Sequence, residues 1–380
     1  VVMYHVKTMN KISKIGLAEL DDRFEISDTM EHEDAILVRS AKLHDYDFPA
    51  ELLCIARAGA GVNNIPLDRA AEAGIVVFNT PGANANGVKE LTIAALLLAS
   101  RKISQGITWV KEQAAAGADV AAVVEKGKAA YVGPEIQGKT LGVVGLGAIG
   151  VLVANAAAAL GMQIVGYDPF LSVQHALNLT PGVKVVSTLE ELYGQADYIS
   201  LHLPMTPETK GTLNDAAFAA MKDGVRIVNL ARGELVDTEA LKAALASGKC
   251  AAYVTDFPNS ETAAMEGVVA IPHLGASTPE SEDNCAMMAA RQVRDYLDNG
   301  NIVNSVNLPV LSMAWAAKNR VCVLTKGADA AAIAAAVPAV ASASKTRGEY
   351  GYFLLDTDAQ VDTAAIAALP GVLRVRVLHQ

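Results

Sequence analysis

Apolar residues in this chain fall into two alternating textures. Short β-branched runs predict strands at Ala35–Val38, Leu53–Arg57, Val76–Asn79, Thr140–Val144, Gln163–Tyr167, Tyr198–Leu201, Arg226–Asn229 and Ala251–Thr255. Between them, apolar positions at helical spacing predict helices at Val88–Ser100, Ala148–Leu160, Asn214–Met221 and Thr238–Ser247. Strand–helix alternation of this kind builds a parallel sheet covered by helices. Two such α/β units are expected, one before about Lys89 and one from about Leu91 to Ile271.

Beyond Pro272 the texture changes. A long polar helix is predicted over Pro279–Asn299, stopped at Gly300. Strands at Arg320–Thr325, Tyr350–Asp356 and Val372–Leu378, with helices near Asp329–Ala336 and Thr363–Leu369, give the order βαββαβ of a small α+β module. The expected fold class is therefore α/β, with two doubly wound, Rossmann-like domains and a C-terminal α+β module. The expected boundaries are 1–91 for the first part of a substrate-binding domain and 92–273 for a dinucleotide-binding domain. Residues 274–308 return to the substrate-binding domain, 309–317 are a linker, and 318–380 form the module.

Composition narrows the partners. A chain of 380 residues with 52% hydrophobic and 19% charged residues can bury several cores, which excludes a disordered protein. Its net charge is −10 and its Lys and Arg residues are scattered, so nucleic acid is not an expected partner. Cys54, Cys250, Cys285 and Cys322 show no zinc-ligand spacing and sit among apolar neighbours, as reduced core thiols do. The opening VVMYHVKTMNKIS has no signal-peptide pattern, and the apolar stretches fall short of the ~20 residues of a membrane span. A soluble cytoplasmic protein with no metal and no membrane contact is the expectation.

Chemistry enters at Thr140–Val144, which runs into Gly145-Leu-Gly147-Ala-Ile-Gly150 and then directly into a helix. Gly145 permits a tight turn, Gly147 lets the backbone approach a pyrophosphate, and Gly150 allows helix and strand to pack closely. A diphosphate then sits on the helix N-terminus. Asp168 closes the next strand, 18 residues past Gly150, where a carboxylate can accept from both ribose hydroxyls. It would repel a 2′-phosphate, and neither Pro169 nor Phe170 supplies a compensating cation, so NAD is expected over NADP.

Arg232 follows the strand Arg226–Asn229, Glu261 follows the strand that ends near Asp256, and His273 follows Ile271-Pro272. Carboxyl ends of strands are where open α/β sheets place ligands. Arg232 can clamp a carboxylate and polarise a carbonyl. His273 can take the proton of a C2 hydroxyl as its hydride leaves. Glu261 can hold the imidazole tautomer and stabilise its cation.

At this point the chain resembles the D-isomer-specific 2-hydroxyacid dehydrogenases over nearly its whole length. The matching stretches are VRSA (38–41), RAGAGVNNI (57–65), NTPGAN (79–84), GKTLGVVGLGAIG (138–150), GYDP (166–169), LHLPMTPETKG (201–211), NLARGELVD (229–237) and PHLGAST (272–278). The resemblance puts the family's catalytic Arg, Glu and His on Arg232, Glu261 and His273. It also implies that Ala148, Ile149 and Asp168 contact the adenosine half of NAD, beside the cofactor-binding turn of Gly145, Gly147 and Gly150. Leu203, Leu230, Ala231, Arg232, Asp256, His273, Gly275 and Ala276 would line the rest, with Asp256 near the nicotinamide amide. Arg57 and the backbone of Ala58, Gly59, Ala60 and Gly61 would hold the substrate's carboxylate or phosphate, with Arg39 and Ser40 nearby and Arg232 completing the set. His202 matches a family position at a strand end and is read as structural.

Two departures stand out. TDFPNSET replaces the family's DVF-x-x-E-P, and Glu261 and His273 are closer in sequence than usual. Residues 318–380 resemble an ACT domain, but Lys326-Gly327-Ala328-Asp329 lacks the His and Asn-Pro-Gly that hold serine in regulated relatives. The resemblance implies a homodimer or homotetramer oxidising a small anionic 2-hydroxy acid. The ACT-like tail favours 3-phospho-D-glycerate, at the start of serine synthesis, as that substrate. A glyoxylate or hydroxypyruvate reductase and a non-catalytic NAD-sensing scaffold, like the C-terminal binding proteins, are the alternatives.

Overall fold

The computed structural model describes residues 3–380. The chain folds as two units, one built from residues up to Ala83 together with Pro279–Gln380, the other from Asn84–Thr278. The boundaries therefore fall at 83/84 and 278/279 rather than at 91/92 and 273/274. The helix Ala85–Ser100 begins with the second unit instead of straddling its edge.

The first unit holds a parallel sheet of β1 (Tyr4–Met9), β2 (Phe24–Ser27), β3 (Ala35–Val38), β4 (Cys54–Arg57) and β5 (Val76–Phe78), in the order β2-β1-β3-β4-β5. β3 and β5 are buried at every residue, as parallel strands sandwiched between covered faces must be. The helix Pro279–Asn299 packs on this sheet through Ala286, Ala289, Ala290, Val293, Tyr296 and Leu297, which recur at three- and four-residue spacing. Glu280 and Glu282 in its first turn complement the helix dipole.

The second unit is a seven-stranded sheet. Its strands are β6 (Thr140–Val144), β7 (Gln163–Tyr167), β8 (Lys184–Val185), β9 (Tyr198–Leu201), β10 (Val225–Asn229), β11 (Cys250–Thr255) and β12 (Val268–Ala270). All neighbours are parallel, in the order β12-β11-β10-β9-β6-β7-β8. The order reverses between β6 and β9, so the carboxyl ends of these two strands flank the crevice where such sheets bind ligands.

The tail of the first unit is antiparallel. β13 (Asn319–Lys326), β14 (Ala341–Arg347), β15 (Tyr350–Thr357) and β16 (Val372–His379) lie in the order β14-β15-β13-β16, with helices Ala330–Ala335 and Thr363–Ala367 between them. This is the βαββαβ arrangement expected. Val321, Val323, Phe353 and Leu355 face the tail's own helices at Ile333 and Ile366. The opposite face is not open: Cys322, Leu324, Tyr352, Leu354 and Leu378 share one core with Val6, Phe24, Leu37 and Tyr296.

Polar contacts secure that junction. The fully buried Arg320 pairs with the fully buried Asp356 at 2.7 and 2.9 Å and donates to the carbonyls of Asn299, Met313 and Ala314. The Trp315 ring lies 4.4 Å from the same guanidinium. Arg376 donates to the Leu297 carbonyl at 2.9 Å, and Tyr352 to that of Gly300 at 2.5 Å. Residues 309–317, expected to be a linker, are thus clamped. Breaking a buried pair of this kind costs about 3–5 kcal/mol, because one charge is left uncompensated.

Candidate active site

The second unit carries the nucleotide cradle. β6 ends at Gly145, whose φ of +94° and whose N–H bond to the Tyr167 carbonyl, at 2.8 Å, set the turn. A Cβ there would lie 2.4 Å from the His202 carbonyl oxygen, and one at Gly150 would lie 1.9 Å from that of Gly145, so neither position admits a side chain. At Gly147 a Cβ would meet nothing within 4 Å. That glycine instead leaves the backbone open at the start of the helix Ala148–Ala159, which has no side-chain cap. Uncapped N–H groups at an open helix start suit a diphosphate.

Asp168 sits beyond the end of β7 with one oxygen accepting from Leu146 N at 2.9 Å and the other from Phe170 N at 2.8 Å. The carboxylate is thus fixed beside the glycine turn, with further lone pairs available to ribose hydroxyls.

Across the same sheet edge, Arg232, Phe257 and His273 form a row beyond β10, β11 and β12. The Arg232 guanidinium lies 5.4 Å from the Phe257 ring, and the Phe257 and His273 rings are 4.3 Å apart. Asn229 donates to the Arg232 carbonyl at 2.8 Å and so sets the turn that carries it. Phe257, which the motifs did not single out, is what spaces the other two.

Asp256, buried at the end of β11, accepts from Gly275 N at 3.1 Å through Oδ2, while its buried Oδ1 has no partner. Burial pushes its carboxyl pKa up. An unpartnered buried acceptor is costly unless a ligand supplies a donor. The amide N–H₂ of a nicotinamide is such a donor, and with the open Gly147 turn this makes the residues present fit NAD. Leu230 is buried beside this row, and Leu203, Ala231 and Ala276 are half-buried.

Glu261 departs from expectation. Its Oε1 lies 3.2 Å from Lys242 Nζ, and among the described residues it makes no bond to His273. The cause is local: Asn259 Oδ1 accepts from both Glu261 N and Thr262 N, which winds the turn so that Glu261 points toward the helix Thr238–Ala246. His202 is neutralised rather than poised. Burial pushes its pKa down to about 4, and Nε2 lies 2.8 Å from Ser200 Oγ, as befits a structural residue.

The first unit carries the other residues expected at the site. Arg57 Nε donates to the Arg39 carbonyl at 3.0 Å. Its guanidinium crosses Gly59, where φ is +154° and a Cβ would lie 1.8 Å from Nη1. Ala58 N and Gly59 N are taken by the carbonyls of Val38 and Arg57, whereas Ala60 N and Gly61 N have no acceptor among the described residues. Arg39 is turned away to Glu282, at 2.6 Å. In its place a recess of about 580 Å³ is lined by Ser40, Lys42, His44, Arg57, Asn63 and Asn64. Lys42 and His44 went unremarked in the sequence, although two basic residues just past a strand's carboxyl end were a signal to read.

No helix among the described residues is long and apolar enough to cross a membrane. Residues 93–275 match the D-isomer specific 2-hydroxyacid dehydrogenase NAD-binding domain. The chain is 38% identical over 291 residues to a D-3-phosphoglycerate dehydrogenase of Rattus norvegicus, covering 74% of this chain and 52% of the relative. It is 40% identical over 299 residues to one of Mycobacterium tuberculosis, covering 76% and 53%. The chain spans little more than half the length of these relatives. Among solved structures it resembles apo D-mandelate dehydrogenase of Rhodotorula graminis, with TM-score 0.67, 26% identity, and coverage of 81% and 99%. It also resembles NAD+-bound 3-phosphoglycerate dehydrogenase of Entamoeba histolytica, with TM-score 0.61, 27% identity, and coverage of 82% and 100%.

Proposed function

Because residues 93–275 belong to the D-isomer specific 2-hydroxyacid dehydrogenase NAD-binding domains, we propose that the chain oxidises C2 of 3-phospho-D-glycerate to 3-phosphohydroxypyruvate. The observation that carries this reading is the row of Arg232, Phe257 and His273 on the sheet edge that also bears the Gly145–Gly150 cradle. Bound NAD supplies the hydride acceptor. His273 takes the hydroxyl proton, and Arg232 binds the carboxylate and stabilises the carbonyl that forms. Glu261 acts on the His273 imidazole once its contact with Lys242 is released. Arg57 and the free N–H groups at Ala60 and Gly61 take the anionic end of the substrate. The relatives named for phosphoglycerate support this substrate over glyoxylate or hydroxypyruvate.

The enzyme works as a homodimer or homotetramer in the cytoplasm. In support of assembly, helices Ile103–Ala115 and Val120–Gly127 bury none of their residues within the unit. One feature favours the scaffold reading instead: Glu261 is occupied by Lys242.

Initial rates with NAD against 2-hydroxy acids, repeated with His273→Asn, separate the two. The dehydrogenase reading expects kcat to fall on the order of 10²–10⁴-fold with NAD affinity little changed. Near-full turnover by His273→Asn would remove His273 as the base. No turnover by the unmodified chain would favour the scaffold.

A further inference from the structure

At the amino ends of β10, β11 and β12, on the edge opposite the Gly145–Gly150 cradle, the second unit has a cavity of about 770 Å³. Arg101, Lys102, Arg226 and Lys242 line it, with Glu266 as its one carboxylate among the described residues. Leu98, Val132, Leu245, Met265 and Val269 supply an apolar wall. Arg226 is half-buried, yet its Nε and Nη1 meet only the carbonyls of Ala99 and Gly224, at 3.0 and 3.3 Å. Lys102 Nζ reaches the Ala130 carbonyl at 3.2 Å, and no acidic group pairs with Arg101 among the described residues.

The ordinary role of such cations is to face helix carboxyl ends, and helices Ala85–Ser100 and Thr238–Ala246 both finish here. Each helix end brings about half a negative charge, so the two ends and Glu266 together offset two of the cations. Lys242 is held at 3.2 Å by Glu261, which is not part of the lining. One positive charge is left over, and it becomes two when Lys242 turns inward.

We propose that this cavity binds a phosphate monoester with a compact apolar body, and that the bound phosphate draws Lys242 away from Glu261. The inference rests on the dehydrogenase reading for its effect on turnover, because it supplies the release of Glu261 that this reading requires. Binding itself can be tested without turnover.

Charge selects phosphate over carboxylate. A phosphate monoester carries about −1.5 to −2 at neutral pH, more than the single surplus charge can balance. It therefore recruits Lys242, whose ammonium sits on a flexible four-carbon stem and can exchange Glu261 for the new anion. A monocarboxylate is balanced without Lys242 and leaves Glu261 engaged. The pair being exchanged is weak, since both of its side chains are about half exposed. Lys242 also faces Glu239 from its own helix. His273, on which the released carboxylate acts, faces Asp256 and, across Phe257, Arg232. Freed Glu261 adds a carboxylate to that set, which favours the imidazolium.

The test uses the full chain with NADH saturating and phenyl phosphate as the probe. Calorimetry should show saturable binding, weakened about tenfold or more by Arg101→Met with Lys102→Met, both at exposed positions. Glu261→Gln should bind the probe about two- to fivefold more tightly, because nothing then competes for Lys242. With 3-phospho-D-glycerate saturating, kcat for oxidation is insensitive to competition at the substrate's own site. The probe should then move the acid limb of its pH profile upward by about 0.5 pH unit or more. Benzoate should leave the limb in place, and the probe should not move it in the double variant or in Lys242→Met. Equal affinity in the unmodified protein and the double variant overturns the site. An affinity unchanged by Glu261→Gln, or an unmoved limb in an active enzyme, overturns the exchange at Lys242. If the unmodified chain turns over no 2-hydroxy acid, the dehydrogenase reading falls, and the titrations still decide both the cavity and the exchange.

Discussion

Lys242 Nζ lies 3.2 Å from Glu261 Oε1, on the carboxylate that the family pattern assigns to His273. Both side chains are about half exposed, so the contact is screened and adds little to stability. Lys242→Met should leave the melting temperature nearly unchanged while freeing Glu261 to stabilise protonated His273. The acid limb of the oxidation pH profile should then move to higher pH. Glu261→Gln should move it to lower pH, because the imidazolium loses a carboxylate. If the two variants share the unmodified profile, Glu261 does not act on His273.

Asp168 accepts from Leu146 N and Phe170 N with its two oxygens, so it shapes the turn at which the proposed ribose contact would lie. The unmodified chain should prefer NAD(H) strongly over NADP(H). Asp168→Ala should narrow the ratio of kcat/KM values by lowering activity with NAD and raising it with NADP. Equal efficiency with the two cofactors in the unmodified protein would refute the assignment.

For Asp256 the expectation is a trade of affinity for stability. Its raised carboxyl pKa means that folding favours the protonated form. Ionisation therefore costs stability, fully so above the raised folded value and not at all below the unfolded one. Asp256→Asn should raise the melting temperature of the NAD-free protein at neutral pH, with the gain shrinking in acid. It should weaken NAD, since the orphaned acceptor is lost. Thermal melts at pH 4 and 7 with and without NAD check both halves.

His202 makes the opposite contribution. Its folded pKa of about 4 lies below the usual 6.5, so the neutral form is favoured in the folded state. That stability is intact above pH 6.5 and drains away as pH falls toward 4, by about 1.4 kcal/mol per pH unit at most. His202→Gln should flatten the acid side of the stability curve while leaving a measurable kcat. A large, specific loss of kcat with unchanged stability would make His202 catalytic after all.

The parts of the molecule legible in the sequence are those whose cause is local. Gly145, Gly147, Gly150 and Asp168 act within one β-α-β unit, and the helix Pro279–Asn299 announces itself by a continuous pattern and a terminal glycine. What escaped depends on neighbours distant in sequence. β1, YHVKTM, alternates only over residues 4–7 and buries fully only Val6, which is a weak signal for a strand. β14, ASASKTR, is an exposed edge strand with no large apolar residue and is recognisable only by its pairing with β15. Lys242 reaches Glu261 from another element, and Phe257 gains its place only when β10, β11 and β12 stand side by side.

The Arg320–Asp356 clamp and the shared core behind it bear on the order in which the chain can fold during synthesis. The unit Asn84–Thr278 is one continuous stretch, so it can close as soon as it leaves the ribosome. The unit begun by β1–β5 cannot do so. Its central helix waits for Pro279–Asn299, and its core waits again for Cys322, Tyr352 and Leu378. Throughout that interval the earliest strands are translated but unsheltered. The strands β1–β5 therefore gain a complete core only after the segment that follows Thr278 has been made, later than the continuous unit between them can close.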